Sequence, residues 1–278
     1  MQIIDPSFEI LEQAPGIQGV KKQIERAGRT CYKSEDKITD TSCEEFVNRM
    51  VNSGHGAMLE HGTVYLYIKY GSPLDNDSEY FKLVDIAIKY KKNKYSVVNT
   101  KVENTYWHHC WITTNYRVLV ENGWLDDLQY QCEPTEHHEK RITVKFILPI
   151  SISREFIRHR TLSFAEQSTR YCNYSKNKFG GKVTFIKPYW YNQYKEEFES
   201  SCKYYEDTYM MAIESGLKAQ EARELLPLCT KTELIMTGFA LDWVHFFQLR
   251  CHSTAHPQAR ELAIPLKEEF IRKGYING

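Results

Sequence analysis

From Arg158 to Tyr171 the chain reads Arg-His-Arg-Thr-Leu-Ser-Phe-Ala-Glu-Gln-Ser-Thr-Arg-Tyr, with three Arg, one His, one Glu and two Ser within fourteen residues. Guanidinium groups grip phosphate with two parallel hydrogen bonds, and hydroxyls complete such a site. A pyrophosphate or a nucleotide monophosphate suits this donor set. The plainer reading is a solvated, charge-paired helix surface, since structural ion-pair networks also gather such residues.

Other groupings carry less. His108-His109-Cys110, Cys132 and His137-His138 hold possible zinc ligands, but not at the usual ligand spacing, and ordinary loop side chains explain them better. Cys251-His252 suggests a base-activated thiol, yet neighbours on a helix do not face one another. The 19 Tyr and 5 Trp could stack on single-stranded nucleic acid. Lys plus Arg and Asp plus Glu are equal at 36 each, so no global basic field supports that reading, and a non-enzymatic nucleic-acid-binding module stays a distant alternative.

The elements that must position these groups read as α+β, strands early and helices late, in a single domain over residues 1–278. A central, mainly antiparallel sheet flanked by long helices is expected. Thr41 and Glu44 read as a capping box opening a helix over 41–52, and Gly54-His55-Gly56 ends it. Thr63–Lys69 and Ile142–Pro149 read as strands. Residues from Gly71 to about Lys140 read as loops, with a short helix near Thr114-Asn115. One long helix is expected over Tyr194–Glu224, stopped by Pro227, and a second, apolar on most sides, over Thr232–His252. A last one starts at Pro257.

At 42% hydrophobic and 26% charged residues, the composition is that of a soluble globular protein. No apolar run reaches the roughly 18 residues of a membrane span, and Met1–Pro6 lacks the pattern of a secretory leader. Eight Cys without a C-x-x-C pair fit a reducing compartment, so a cytoplasmic location is expected.

Arg158-His159-Arg160, then seven residues, then Ser168 resembles the signature of flavin-dependent thymidylate synthases, continuing through Glu166, Arg170 and Tyr171. Arg29–Ser34, Gly54-His55 with Leu59-Glu60-His61, Leu249-Arg250 and His256–Glu261 resemble further motifs of that family, in order. Thr113–Arg117 resembles its larger members, with a family-variable segment at about 71–140. The resemblance implies reductive methylation of dUMP to dTMP, with FAD reduced by NADPH and methylenetetrahydrofolate giving the carbon. It also implies a homotetramer with active sites between subunits. His55, Glu60, Arg158, His159, Arg160, His245 and His256 are then cofactor-binding residues. Glu166, Ser168, Arg170, Arg223 and Arg250 surround the nucleotide, with Arg250 and Ser168 nearest the chemistry. Arg250 would stabilise negative charge developing on the base; Ser168, lacking an adjacent base, is a hydrogen-bonding group and not a nucleophile.

Four residues depart from the family pattern. Ala165 stands where many members have Asn, Glu155 where a Gln often meets the nucleotide, and Phe239 and Leu241 where an Asn and an Arg stand. A carboxylate at 155 would repel a phosphate dianion. The departures at Glu155 and Ala165 keep open an alternative, methylation or hydroxymethylation of another pyrimidine nucleotide, while Phe239 and Leu241 remove polar contacts that the resemblance implies for the flavin.

Overall fold

The structure is a computed structural model that describes residues 1–71 and 78–278, excepting the side chain of residue 178. In chain order its elements begin with β1 (Gln2–Ile4), β2 (Ser7–Leu11), α1 (Gly16–Tyr32), α2 (Ser42–Asn52), α3 (Gly56–Leu59) and β3 (Thr63–Tyr70). Next come α4 (Ser78–Lys92), β4 (Val97–Glu103), β5 (Trp107–Asn115), α5 (Tyr116–Asn122), β6 (Arg141–Pro149), α6 (Ile150–Phe156) and β7 (Ser163–Glu166). The last are β8 (Thr184–Ile186), α7 (Lys195–Glu214), α8 (Ala219–Ala222), β9 (Lys231–Phe239), α9 (Ala240–Arg250) and α10 (Pro257–Arg272).

The fold is α+β with mainly antiparallel pairing, divided among three sheets: a four-stranded β2-β6-β9-β7, a three-stranded β3-β5-β4, and a short parallel pair of β1 with β8. One core packs the four-stranded sheet against α6, α9 and α10 through Phe146, Phe156, Trp243, Phe246, Leu266 and Phe270. A second packs the three-stranded sheet against α1, α2, α4 and α5. Gly28 lets α1 and α2 approach closely, since a Cβ there would come within 2.4 Å of the Phe46 ring.

The largest correction concerns residues 231–252. Where one buried helix was expected, β9 turns into α9 without a loop. β9 is the inner strand between β6 and β7, and all of Thr232–Gly238 is buried. Leu234 and Met236 face the aromatic core, while Ile235 packs with Leu11, Ala27 and Ala165 on the other side. A strand covered on both faces is apolar throughout, the same signature as a buried helix.

Other expectations shift as well. The helix expected over Tyr194–Glu224 stops at Glu214, because Gly216 takes a φ of +100° and the chain resumes as α8 and a 3₁₀ turn, Arg223–Leu225. The loops expected over 71–140 are largely regular, with α4, β4, β5 and α5 in place; the part at 72–77 lies outside the described residues. α5 starts beside Asn115, as read, and that side chain accepts the Val118 N–H at 3.2 Å. Thr41 does precede α2, but its side chain caps nothing, and Glu44 instead takes Gln18 at 2.6 Å and Lys21. α10 opens with Pro257 at its first turn, and the His256 ring accepts the Gln258 N–H at 3.2 Å. Among the described residues no helix is long and apolar enough to cross a membrane.

Candidate functional site

Arg158, His159 and Arg160 occupy the turn between α6 and β7, and Arg250 is the last residue of α9. The aromatic core that packs α6 on α9 brings the two together, through Phe156 and Phe246 with ring centroids 4.9 Å apart. Arg250 donates three ways: Nε to His159 Nε2 at 3.0 Å, Nη1 to Glu155 Oε2 at 2.8 Å, and Nη2 to the Glu155 carbonyl at 2.7 Å. Glu155, expected to trouble an incoming phosphate, is thus bound to a guanidinium that compensates its charge.

For His159 to accept at Nε2 it must be neutral with its proton on Nδ1. Burial first, then the Arg250 charge and His245, lower its pKa to about 4. The His245 ring lies 5.8 Å away, and Arg158 is close enough to Arg250 to oppose its charge. Glu166, at the end of β7, accepts from the Thr232 hydroxyl at 3.2 Å, and burial raises its pKa. Ser168 follows, its N–H held by the Cys31 carbonyl at 2.9 Å and its Oγ accepting the Arg170 N–H at 3.3 Å.

A second group gathers at α3. Arg117 joins Glu60 Oε1 at 2.5 Å and Glu121 Oε1 at 2.6 Å, and Arg141 donates to the Glu60 carbonyl at 3.0 Å. His61 is fully buried, its Nδ1 2.8 Å from the Thr237 hydroxyl on β9, and burial lowers its pKa to about 3. That contact ties the turn carrying His55 and Glu60 to the sheet that carries β7.

Two sequence-nominated residues stand apart. Arg223 pairs with its neighbour Glu224 at 3.3 Å, and His256 caps α10 with Tyr189 6.2 Å away; neither is hydrogen-bonded to Arg250. Arg158, Arg160, Arg170, His55 and His245 are exposed, so one chain alone does not close a cage of guanidinium groups. No role is expected of Arg117, Arg141 or His61 from sequence alone. Arg117 and His61 lay inside motifs already quoted, but the partners that tie them into the site, Glu60 and Thr237, are distant in sequence and no spacing marks them.

The rival groupings resolve differently. His109 stacks on Trp111 at 5.7 Å, His108 on Tyr70 at 5.1 Å, and His137 lies 4.3 Å from Trp111. Among the described residues no three His, Cys, Asp or Glu side chains are grouped to hold a metal ion. Burial raises the Cys251 thiol pKa, and the His252 ring turns to the Thr254 hydroxyl at 2.8 Å, so that pair is not an activated nucleophile.

The depressed histidines set an acid limit. Both folded values lie below the ordinary 6.5, so the unfolded chain binds more protons in between. The stability they contribute is complete above that ordinary value and drains as pH falls toward the folded ones. The thermal midpoint is expected to drop from pH 7 to pH 5, and to drop less in His159→Asn; identical profiles for the two proteins would contradict this.

A three-sheet α+β frame thus brings the Arg-His-Arg turn to the helix-terminal Arg250. The chain belongs to the thymidylate synthase complementing protein family, whose sequence model matches residues 104–273. It is 31% identical over 118 residues to a flavin-dependent thymidylate synthase of Geobacter sulfurreducens, covering 41% of this chain and 49% of that one. It is 28% identical over 146 residues to one of Synechocystis, covering 47% and 66%. The chain thus spans less than two thirds of the length of these relatives. A UMP/dUMP methylase from Streptomyces cacaoi, solved with 5-Br dUMP, superposes over 98% of this chain and 93% of that one at a TM-score of 0.45 and 16% identity. At that level nothing about this chain follows from it.

Proposed function

We propose that the chain is a flavin-dependent methyltransferase that converts dUMP to dTMP, with methylenetetrahydrofolate as carbon donor and NADPH as reductant. The carrying observation is Arg250, held rigidly by Glu155 and His159 at the foot of the Arg-His-Arg turn.

The donor set suits FAD. Arg158 and Arg160 are exposed and engaged by no carboxylate among the described residues, leaving both guanidiniums available to a pyrophosphate. With His55, Glu60, His159, His245 and His256 they are the proposed cofactor contacts. FAD, when bound, supplies the hydride that turns a transferred methylene into a methyl group. Arg250 faces the uracil carbonyl and ring nitrogen and stabilises the negative charge developing there, so that C5 becomes nucleophilic. Neutral His159 takes the guanidinium Nε–H and fixes its plane. Glu166, Ser168, Arg170 and Arg223 hold the nucleotide, Ser168 as a hydrogen-bonding group. The exposure of so many of these groups supports a homotetramer in which neighbouring copies complete each site. A single domain working in the cytoplasm belongs to the same reading.

Glu155 favours a second reading, turnover of another pyrimidine. Its carboxylate sits on the guanidinium that would face the base. A carboxylate accepts from the amino group of cytosine and repels the carbonyl of uracil at the same position. Assaying dUMP, dCMP and UMP with the purified protein separates the two. Turnover of dCMP alone would remove the dUMP assignment and leave the flavin role standing.

Arg160→Ala is expected to purify with little or no bound flavin, read as lost absorbance near the flavin bands. Unchanged occupancy would remove Arg160 from the cofactor site.

A further inference from the structure

A cavity of about 320 Å³ outside this site is bounded by β1, β8, the start of β9 and the residue after β7. Lys33, Lys182 and Lys231 line it with Gln167, Thr184 and Tyr174, and no described carboxylate lines it. Beneath it, Glu233 is buried and takes Lys33 at 2.6 Å, Lys145 at 2.5 Å and Lys231; Lys33 also meets Glu35 at 3.1 Å. Three ammonium groups thus share two carboxylates, Lys182 adds a fourth positive charge, and the excess faces the cavity.

Gln167 adds a directional feature. Its side chain is buried at 4% exposure, and Lys231 Nζ donates to its Oε1 at 3.1 Å. That contact fixes which end of the amide is oxygen, so Nε2 is left as a buried donor, and it has no partner. Buried donors without acceptors are rare because each forfeits its hydration. Lysines with an orphan N–H form a donor-only lining. We propose that this cavity binds a phosphate-sized oxyanion, either inorganic phosphate or the phosphate of a small phosphomonoester, at a site separate from Arg250. Successive side chains of extended backbone point to opposite sides. Glu166 accordingly meets Thr232, whereas Gln167 meets Lys231, so the two sites lie on opposite faces of the strand. The inference stands apart from the methyltransferase reading.

The test titrates the full-length chain with inorganic phosphate, and in a second arm with glycerol phosphate, at constant ionic strength. Calorimetry and the thermal midpoint are the readouts. Saturable binding is expected in wild type and in Arg250→Ala. Lys182→Ala, a partly exposed change, and Gln167→Leu, close in volume, are each expected to weaken it about tenfold or more, the scale of one charge-assisted hydrogen bond. Equal binding of both probes means that the site accepts an esterified phosphate; binding of inorganic phosphate alone means that it takes the free ion. The proposal is overturned if neither probe saturates, if both cavity variants bind as wild type does, or if Arg250→Ala abolishes binding while Lys182→Ala does not.

Discussion

Arg250→Ala is expected to keep its flavin and to lose about 10²–10³ in nucleotide turnover, the effect of removing one preorganised donor from a developing anion. The loss has two sources. The guanidinium no longer stabilises the base, and Glu155 is left half-buried without the partner that held it at 2.8 Å. Arg250→Lys separates them, because an ammonium restores charge near Glu155 but cannot make the three-way grip on Glu155 Oε2, its carbonyl and His159. Turnover should therefore stay low in Arg250→Lys while thermal stability recovers. Glu155→Gln offers the complementary measurement, keeping the shape and removing the charge. Wild-type turnover in Arg250→Ala would end the assignment of this residue.

Glu233→Gln is expected to destabilise the fold by about 3–5 kcal/mol, the range for removing one partner of a buried ionic cluster. Its carboxylate lies on β9 with Lys33, Lys145 and Lys231 around it, and their charges hold its pKa near 2 despite burial, against an ordinary 4.5. A folded value below the unfolded one contributes stability that is complete above pH 4.5 and drains as pH falls toward 2. That linkage alone corresponds to about 3 kcal/mol. Denaturant unfolding of wild type and Glu233→Gln should differ most at pH 7, and the gap should narrow by pH 3. A pH-independent gap would mean that shape and not charge holds the cluster.

How far the chain announces its own structure depends on the range of the interaction. Thr63–Tyr70 alternates and pairs as a strand, and Pro257 opens α10, because the sterics behind both act over a few residues. Residues 232–252 misread because burial on every side erases the difference between periods of 2.0 and 3.6. Residues 78–103 misread because polar side chains cover the outer face of α4 and most of β4, and a polar segment resembles a loop until its packed side is seen. Within the site, the Arg-His-Arg turn and Arg250 were legible as residue types. Their arrangement was not: Glu155, feared as a repulsive neighbour, lies 95 positions from the guanidinium it clamps.

The sequence by itself determined family membership, the α+β class and the identity of the charged groups, since these reside in residue type and local order. Only the tertiary structure decided which charges neutralise each other. Arg250 with Glu155 and His159, Arg117 with Glu60, and Glu233 with its three lysines are all made by packing elements far apart in the chain. Coulomb energy depends on separation and burial, and neither quantity is a property of sequence spacing.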